Sequence, residues 1–409
     1  MQVEIQINNS PLASARFVTW SPAPCRVRMT DASGATAPTT MIDLTCAAGS
    51  TGKVRFSNAS SGPFANGLTL PVPTSGASVA FFVAGKFGSP STALDDVTVE
   101  AKSAGTSVGS VNLTVRIRKD ANTLTPAERD RFLGAMGTIN NRGAGRFVDF
   151  RDMHDGRADR EMHAGPGFLA WHRAYLLDLE RALQVIDASV TIPYWRFDKP
   201  APNVFTADFM GDTDPLGTVR FSAGHAFEFW TTDGMMGIDR NPRFNTAVQG
   251  AGVISEAATL ALGATFATFR QMELDPHGSA HVSFNGFIDN PATAPKDPLF
   301  FLLHANVDRL WAKWQRKNSL FESTKAAAFY VAPGGNRIGH NLGDTMWPWN
   351  GVTTPPRPTT PPPGGGMAVS PFLNDPWIGP APAVENMFDY RGTVAARNQL
   401  GFDYDDVQA

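Results

Sequence analysis

Six of the eight histidines in this 409-residue chain fall into two groups of three. The first group is His154, His163 and His172, and the second is His277, His281 and His304. Histidines grouped in this way are typical of metal sites, because a neutral imidazole nitrogen is a good metal ligand. A fold that uses both groups must bring two distant segments together. This requirement constrains the chain more strongly than its composition does.

The first group ends on a predicted helix, GFLAWHRAYLLDLERAL (167–183). Its apolar residues recur at spacings of three and four, which predicts one buried stripe that includes His172. His163 lies in the loop before this helix, and His154 completes the group if three ligands come from this region. Taken alone, His172 could be a hydrogen-bonded core histidine and the other two could be surface residues. Three histidines within nineteen residues favour a metal site.

The second group begins in ELDPHGSAH, where Asp275 is expected to cap a helix that starts at Pro276. His277 and His281 would then share one helical face and could chelate a single ion. His304 belongs to a second predicted helix, DPLFFLLHANVDRLWAKW (297–314). Asp308 follows His304 by one turn, so it is expected to orient that imidazole as a hydrogen-bond acceptor.

The ligand type does not by itself choose the metal, since copper, zinc, iron and nickel all accept imidazole. A zinc protease would need glutamate directly after the first histidine of the HxxxH pair, and this chain has Gly278 there. Neither group includes a carboxylate, which argues against non-haem iron. Two copper ions are therefore the favoured cofactors, with zinc as the alternative. A pair of copper ions held by three imidazoles each is suited to binding dioxygen and oxidising an electron-rich substrate.

Composition excludes several other partners. The formal net charge is −3, which provides no basic surface for nucleic acid or anionic membranes. No apolar run is long enough for a membrane span, and the N-terminus MQVEIQINNS shows no export signal. A cytoplasmic location is therefore expected, with export alongside a partner left open. Cys25 and Cys46 could form a disulfide or remain reduced, and the oligomeric state is not predicted.

Two domains are expected. Residues 1–114 carry short alternating segments separated by turn residues, which predicts an all-β domain of the immunoglobulin-like sandwich type. This domain has no histidine, so its role is open between a cover for the site and a docking module. Residues 115–409 are expected to be mainly α, with a capping box at Thr125, Pro126 and Glu128. The predicted strands are residues 3–7, 53–56, 78–85, 96–101 and 110–117, and the proline- and glycine-rich residues 353–366 are predicted to be an exposed loop.

The segments HAGPGFLAWHRAYL (163–176) and DPLFFLLHANVDRLWAKW (297–314), with HxxxH before the latter, resemble the tyrosinase and polyphenol oxidase family of type-3 copper proteins. The resemblance covers about residues 115–404. It implies a four-helix bundle around a dicopper site, with phenolic substrates oxidised by dioxygen. It also implies that Phe300 shapes the substrate pocket, that Glu273 orders a water near the substrate hydroxyl, and that Phe402-Asp403-Tyr404 closes the catalytic domain. The residues implied as copper ligands are His154, His163 and His172 for one ion and His277, His281 and His304 for the other.

The chain departs from the family pattern in three ways. The gap between His154 and His163 is short, and no cysteine lies near His163 to form a thioether. Gly278 stands where efficient monophenol hydroxylases often carry asparagine, and glycine has no side chain to hold a water. These departures predict an o-diphenol (catechol) oxidase with weak or variable monophenol hydroxylation. The alternatives are an o-aminophenol oxidase, a haemocyanin-like oxygen carrier and a zinc hydrolase, while His225 and His340 are predicted to be structural.

Overall fold

A computed structural model describes residues 1–335, 337–362 and 381–408 of the chain. These residues form two compact units. The first contains Met1–Ile117 together with the chain from Arg391 onward, and the second contains most of the chain from Arg118 to Tyr390. The first boundary lies three residues beyond the predicted position of 114. The C-terminal segment, predicted to belong to the second domain, is grouped with the N-terminal strands instead.

The first unit consists of two β-sheets. One has the strand order β1-β3-β7-β5 and is antiparallel throughout, whereas the other has the order β2-β9-β8-β4-β6, with β2 parallel to β9. Five of the nine strands were predicted, and β2, β3, β4 and β6 were not. The strands are β1 (Gln2–Gln6), β2 (Phe17–Val18), β3 (Ala23–Asp31), β4 (Thr39–Cys46), β5 (Val54–Ser57), β6 (Gly67–Pro73), β7 (Val79–Gly85), β8 (Val97–Ser103) and β9 (Thr106–Val115).

Inward-facing residues of both sheets meet in one apolar core. Val27 and Val83 of the first sheet and Leu44 and Val99 of the second belong to the same buried cluster. Burial alternates along β3 from Ala23 to Met29, as expected for a strand with one face on a core. The unit is therefore β-rich with a shared core, and the immunoglobulin-like type stays a prediction. Both cysteines are free thiols, so the disulfide alternative is not realised in this structure.

Polar contacts hold the C-terminal segment within the first unit. The Trp20 indole N–H donates to the carbonyl of Tyr404 at 2.9 Å. The buried Asp403 carboxylate accepts from the backbone N–H and the hydroxyl of Ser21, and it lies 3.3 Å from the Arg391 guanidinium. Phe402-Asp403-Tyr404 therefore packs with the β-strands, not within the catalytic unit as the resemblance implies. Local sequence pattern does not reveal this packing, because the partners of these residues lie far away in the chain.

The second unit is built around two long helices that lie against each other, α4 and α8, and α1 also packs on α4. The helices are α1 (Pro126–Asn140), α2 (Phe147–Met153), α3 (Asp159–Met162), α4 (Phe168–Ile186), α5 (Glu256–Thr259), α6 (Phe266–Phe269), α7 (Ser279–His281) and α8 (Leu299–Asn318). The short strands are β10 (Thr218–Val219), β11 (Thr231–Thr232), β12 (Met235–Met236), β13 (Ile238–Pro242) and β14 (Phe284–Gly286). No described residue between Asp187 and Ser255 is helical. The second unit therefore contains less helix than the prediction of a mainly α domain implied. No described helix is both long and apolar enough to cross a membrane.

Local signals for the main helices are confirmed, but their burial differs from the prediction. Thr125 caps α1 with both capping-box bonds to Glu128 in place. The predicted single stripe on α4 is wrong, because all sixteen residues from Phe168 to Leu183 are buried. The helix occupies the middle of the unit, and its charged side chains remain buried because ion pairs compensate them. Arg118, for example, pairs with Glu180 at 2.8 Å.

The proline-rich segment is anchored at one residue. Residues 353–356 are exposed, as predicted, but Arg357 and Pro358 are buried, and Arg357 forms a two-bond ion pair with Glu161, at 2.6 and 2.9 Å. Composition did not reveal this anchor, because it is a charged side chain whose partner lies 196 residues earlier in the chain. Residues 363–366 of the predicted loop lie outside the described residues.

Candidate metal centre

The second unit brings each predicted histidine group together. His154, His163 and His172 form one cluster and His277, His281 and His304 form another, and in each the candidate ligand atoms lie within 4.8 Å of one another. The two clusters adjoin, because the rings of His172 and His304 stack with centroids 4.3 Å apart and planes 10° apart. The geometry suits two metal ions close together, each facing three imidazoles.

The first cluster collects its histidines from a short helix end, a loop and a long helix. His154 directly follows α2, His163 follows α3, and His172 lies in the second turn of α4. The Nδ1–H of His154 donates to the Pro291 carbonyl at 2.9 Å, and that of His172 donates to the Phe168 carbonyl at 2.9 Å. The Nδ1 of His163 lies 2.8 Å from a carboxylate oxygen of Asp159.

The second cluster lies on a π-helical turn (Leu274–Gly278), on α7 and on α8. His277 donates through Nδ1 to the Glu273 carbonyl at 2.8 Å, and His281 donates to the Ile288 carbonyl at 2.7 Å. The Nε2 of His304 lies 3.4 Å from that of His277 and 3.2 Å from that of His281. Three Nε2 atoms therefore converge on one point.

Two predicted supporting residues have other partners. Asp308 does not orient His304, whose buried Nδ1 has no hydrogen-bond partner, because the Asp308 carboxylate accepts from Arg118 at 3.0 Å and from Arg173. A charged guanidinium group forms a stronger hydrogen bond with a carboxylate than a neutral imidazole does, so the two arginines bind Asp308 in preference to His304. Asp275 lies within the π-helical turn but has an extended backbone (φ −139°, ψ 120°), and its carboxylate accepts from the Ile254 N–H at 3.3 Å, so it caps no helix.

The hydrogen bonds decide which nitrogen faces the centre. A carbonyl oxygen only accepts, so the Nδ1 atoms of His154, His172, His277 and His281 carry hydrogen and their Nε2 atoms hold a free lone pair. The Nε2 atoms of His154 and His172 are buried without a hydrogen-bond partner. A buried polar atom without a partner is costly, and a metal ion would satisfy both.

Burial keeps these imidazoles uncharged. It lowers the pKa of His154, His172, His277 and His304 well below 6.5, and it lowers the pKa of His281 to about 4. Neutral imidazole is the form that binds a metal, so no proton competes with the ion at neutral pH. The chemistry of the donor set therefore fits two copper ions.

Two phenylalanines separate the imidazoles from the surrounding core. Phe300 is fully buried, with its ring centroid 4.2 Å from that of His304 and 5.2 Å from that of His154. Phe168 lies 4.7 Å from His172 and 4.8 Å from His277, so it touches both clusters. The role of Phe300 beside a substrate ring stays a prediction. Phe168 was not predicted to be a site residue, because the apolar pattern of residues 167–183 predicted only that it would be buried in the core.

One side of the centre is formed by His163, which is only partly buried. Glu273 lies on this side: its Oε1 accepts from the Ala164 N–H, next to His163, and its Oε2 has no hydrogen-bond partner among the described residues. Burial raises the pKa of this carboxyl group. Gly278 has helical backbone angles (φ −58°, ψ −41°) and is partly exposed, so this edge of the centre lacks a side chain.

Two further residues support the first cluster but were not predicted to do so. Asp159 lies four residues before His163, a helical spacing that could have identified it as the partner of that ligand. His340 is remote from both clusters in sequence, yet it is fully buried against the loop that carries His163. Nothing in the sequence pattern connects these two histidines.

Comparison with known proteins places this site in a family. The sequence profile of the common central domain of tyrosinase matches residues 144–317. A Streptomyces glaucescens tyrosinase is 32% identical over 265 residues, covering 57% of this chain and 92% of that protein. A Streptomyces antibioticus tyrosinase is 30% identical over 271 residues, covering 58% and 94%. A functional unit of octopus hemocyanin is 20% identical, with a TM-score of 0.46 over 72% of this chain and 69% of that one. The two Streptomyces matches show that the chain belongs to the tyrosinase family of copper-dependent oxidoreductases.

Proposed function

We propose that this protein uses dioxygen to oxidise o-diphenols to o-quinones, with only weak hydroxylation of monophenols. The observation that carries the proposal is the open edge of the centre at Gly278, beside two adjoining clusters of three imidazoles. Six inward-facing imidazoles fit two copper ions, which supply dioxygen binding and electron transfer when bound. Without a side chain at position 278, no second group is available there to hold a water with Glu273.

The chain's own residues position the ligands and move the proton. Carbonyl acceptors fix four imidazole rings through Nδ1, and Phe168 and Phe300 exclude water around the rings. Glu273 accepts a proton from the substrate hydroxyl through Oε2, because its Oε1 is engaged by Ala164. We also infer that α1, α2, α4 and α8 form the four-helix bundle, and that the two sheets of the first unit form an immunoglobulin-like sandwich.

Steady-state kinetics with a matched pair of substrates test this function. The copper-loaded protein should oxidise dopamine with a kcat/KM about 10- to 100-fold above that for hydroxylating tyramine, the factor expected for one missing hydrogen-bonding group. Equal rates on both substrates would reject the proposed preference. Absence of quinone from dopamine, despite two bound copper ions, would indicate an oxygen carrier instead.

The position of Gly278 allows a direct prediction. A Cβ there would lie 3.4 Å from the Glu273 carbonyl oxygen, an ordinary contact, and the backbone angles suit any residue. Gly278→Asn should raise kcat/KM for tyramine by about tenfold, since an amide can hold a water beside Glu273, and should change the dopamine value little. Gly278→Ala is the matched control, because it adds the Cβ without the amide. If Gly278→Ala raised kcat/KM for tyramine as much as Gly278→Asn does, the explanation that the amide holds a water would be contradicted.

A further inference from the structure

His340 is the only histidine outside the two clusters that is fully buried among the described residues. Its Nε2–H donates to the Arg160 carbonyl at 2.7 Å, and its Nδ1 accepts from the Gly167 N–H at 3.0 Å. One ring therefore joins α3 to Gly167, the residue that directly precedes α4. The residues between these two points, 160–167, carry His163 and are called here the first ligand loop.

The loop and the His340 ring are packed too closely for any side chain at two positions. A Cβ at Gly165 would lie 2.2 Å from the His340 Cε1, and one at Gly167 would lie 2.0 Å from the Gly339 carbonyl oxygen. Glycine is required at both positions because only a bare backbone permits this approach. The close packing of residues 339 and 340 therefore explains why the HAGPG sequence has glycine at positions 165 and 167.

Two arginines of the same region hold the loop on either side of His163. Arg337 donates to the Ala164 carbonyl at 2.8 Å, while the Ala164 N–H is held by the Glu273 carboxylate. Ala164 has φ +54°, a conformation uncommon for a residue with a Cβ, and both of its backbone polar groups are bound by side chains. Arg357 forms its ion pair with Glu161, two residues before His163.

We propose that Arg337, Gly339, His340 and Arg357 form a brace that positions His163, and that His340 is its central positioning residue. Copper binding at the first cluster depends on this brace, whereas binding at the second does not. Among the described residues, no hydrogen bond or ion pair of these four residues reaches His277, His281 or His304. Carbonyls near His277 and His281 in the chain orient those two ligands. The inference rests on the proposed binding of copper by both clusters.

Copper titration of the full-length apo-protein, with a chelator as competitor, tests the brace. Wild type should bind two copper ions per chain. His340→Phe keeps the ring volume but loses both hydrogen bonds, so it should weaken first-cluster binding by about tenfold or more, the range for loss of outer contacts to a metal site, and change second-cluster binding less than about twofold. His340→Asn keeps a side-chain acceptor and should recover part of the loss. This graded rescue would not arise from a general loss of packing.

Two backgrounds assign the effect to one cluster. His281→Ala leaves the first cluster as the complete site, and His172→Ala leaves the second. Adding His340→Phe should weaken binding in the His281→Ala background and leave the His172→Ala background unchanged. The matched control is His225→Phe, because His225 also accepts a backbone N–H through Nδ1, from Phe227 at 2.9 Å, and has no ring or hydrogen-bond contact with either cluster among the described residues.

The outcomes separate this inference from the proposed function. If wild type binds no copper, the proposed function fails. If wild type binds two ions and His340→Phe weakens both clusters equally, or neither, the brace inference is wrong. If circular dichroism shows that His340→Phe does not fold, Arg357→Met provides the same comparison at the edge of the brace. Unchanged first-cluster binding in that variant would then reject the brace.

Discussion

The first histidine cluster is held by two backbone carbonyls and a carboxylate, whereas His277 and His281 of the second are held by backbone carbonyls close to them in sequence. In the first, the Nδ1 contacts are the distant Pro291 carbonyl, the Asp159 carboxylate and a carbonyl one helical turn away. In the second, His277 and His281 donate to carbonyls four and seven residues away. The first site is therefore a product of tertiary contacts and side-chain charge, and the second follows mainly from local backbone geometry.

The strongest test of this difference removes the carboxylate that joins the two ligand helices. Asp308 on α8 pairs with Arg173, next to His172 on α4, and with Arg118, and all three side chains are buried. Asp308→Asn leaves two buried guanidinium groups short of negative charge, so the second unit should lose about 3 kcal/mol of its free energy of unfolding. Urea denaturation of the apo-protein measures this loss.

Asp130→Asn is the control for that variant, since Asp130 is 62% exposed in its pair with Arg129 and should contribute less than about 1 kcal/mol. Copper affinity should fall at both clusters in Asp308→Asn, because both ligand helices lose a shared support. A loss confined to one cluster would show that the helices hold their ligands independently. That result would extend the contrast between the clusters from their loops to their helices.

A smaller effect is expected from Asp159→Asn, and it should be confined to the first cluster. The contact with His163 lowers the pKa of Asp159, so the carboxylate is charged at neutral pH and makes the imidazole a better donor to the metal. Copper binding at the first cluster should weaken by about 10- to 100-fold, with the second cluster unchanged. Chelator competition in the His281→Ala and His172→Ala backgrounds measures each cluster separately.

Asp149→Asn serves as the control here, because Asp149 lies on the neighbouring helix α2 and is paired only loosely with Arg146, at 3.9 Å. If Asp159→Asn behaves like this control, the first cluster does not depend on a charged partner. The two clusters would then differ less than their hydrogen bonds suggest.

The same contrast explains how much of the site could be predicted from the sequence. The structure brings together all six predicted histidines, because each cluster is encoded by spacing within a short segment and by two helices with strong apolar patterns. The capping box at Thr125 was predicted correctly for the same reason: donor and acceptor are three residues apart. Such local signals need no knowledge of the tertiary fold.

The errors concern partners that are distant in the chain. Asp308 was assigned to His304 one turn away, but two arginines far from it in sequence compete successfully for its carboxylate. The proline-rich tract was predicted to be free of packing, yet Arg357 reaches Glu161. The sequence did not indicate a role for His340 at the site, because Gly165 and Gly167, against which its ring packs, are far from it in the chain.

The smallest expected effect is on a residue that contacts both clusters and could therefore couple copper binding at one to binding at the other. Phe168 touches rings of both, so Phe168→Leu should cost under about 1.5 kcal/mol of stability and weaken copper binding slightly at both clusters. Phe301→Leu is the matched control, because Phe301 is equally buried and its ring contacts are with Phe147, Tyr175 and Phe300. Binding isotherms in the two single-cluster backgrounds should shift together for Phe168→Leu and remain in place for the control. A shift in the first cluster alone would mean that the phenylalanine acts only on the loop held by tertiary contacts.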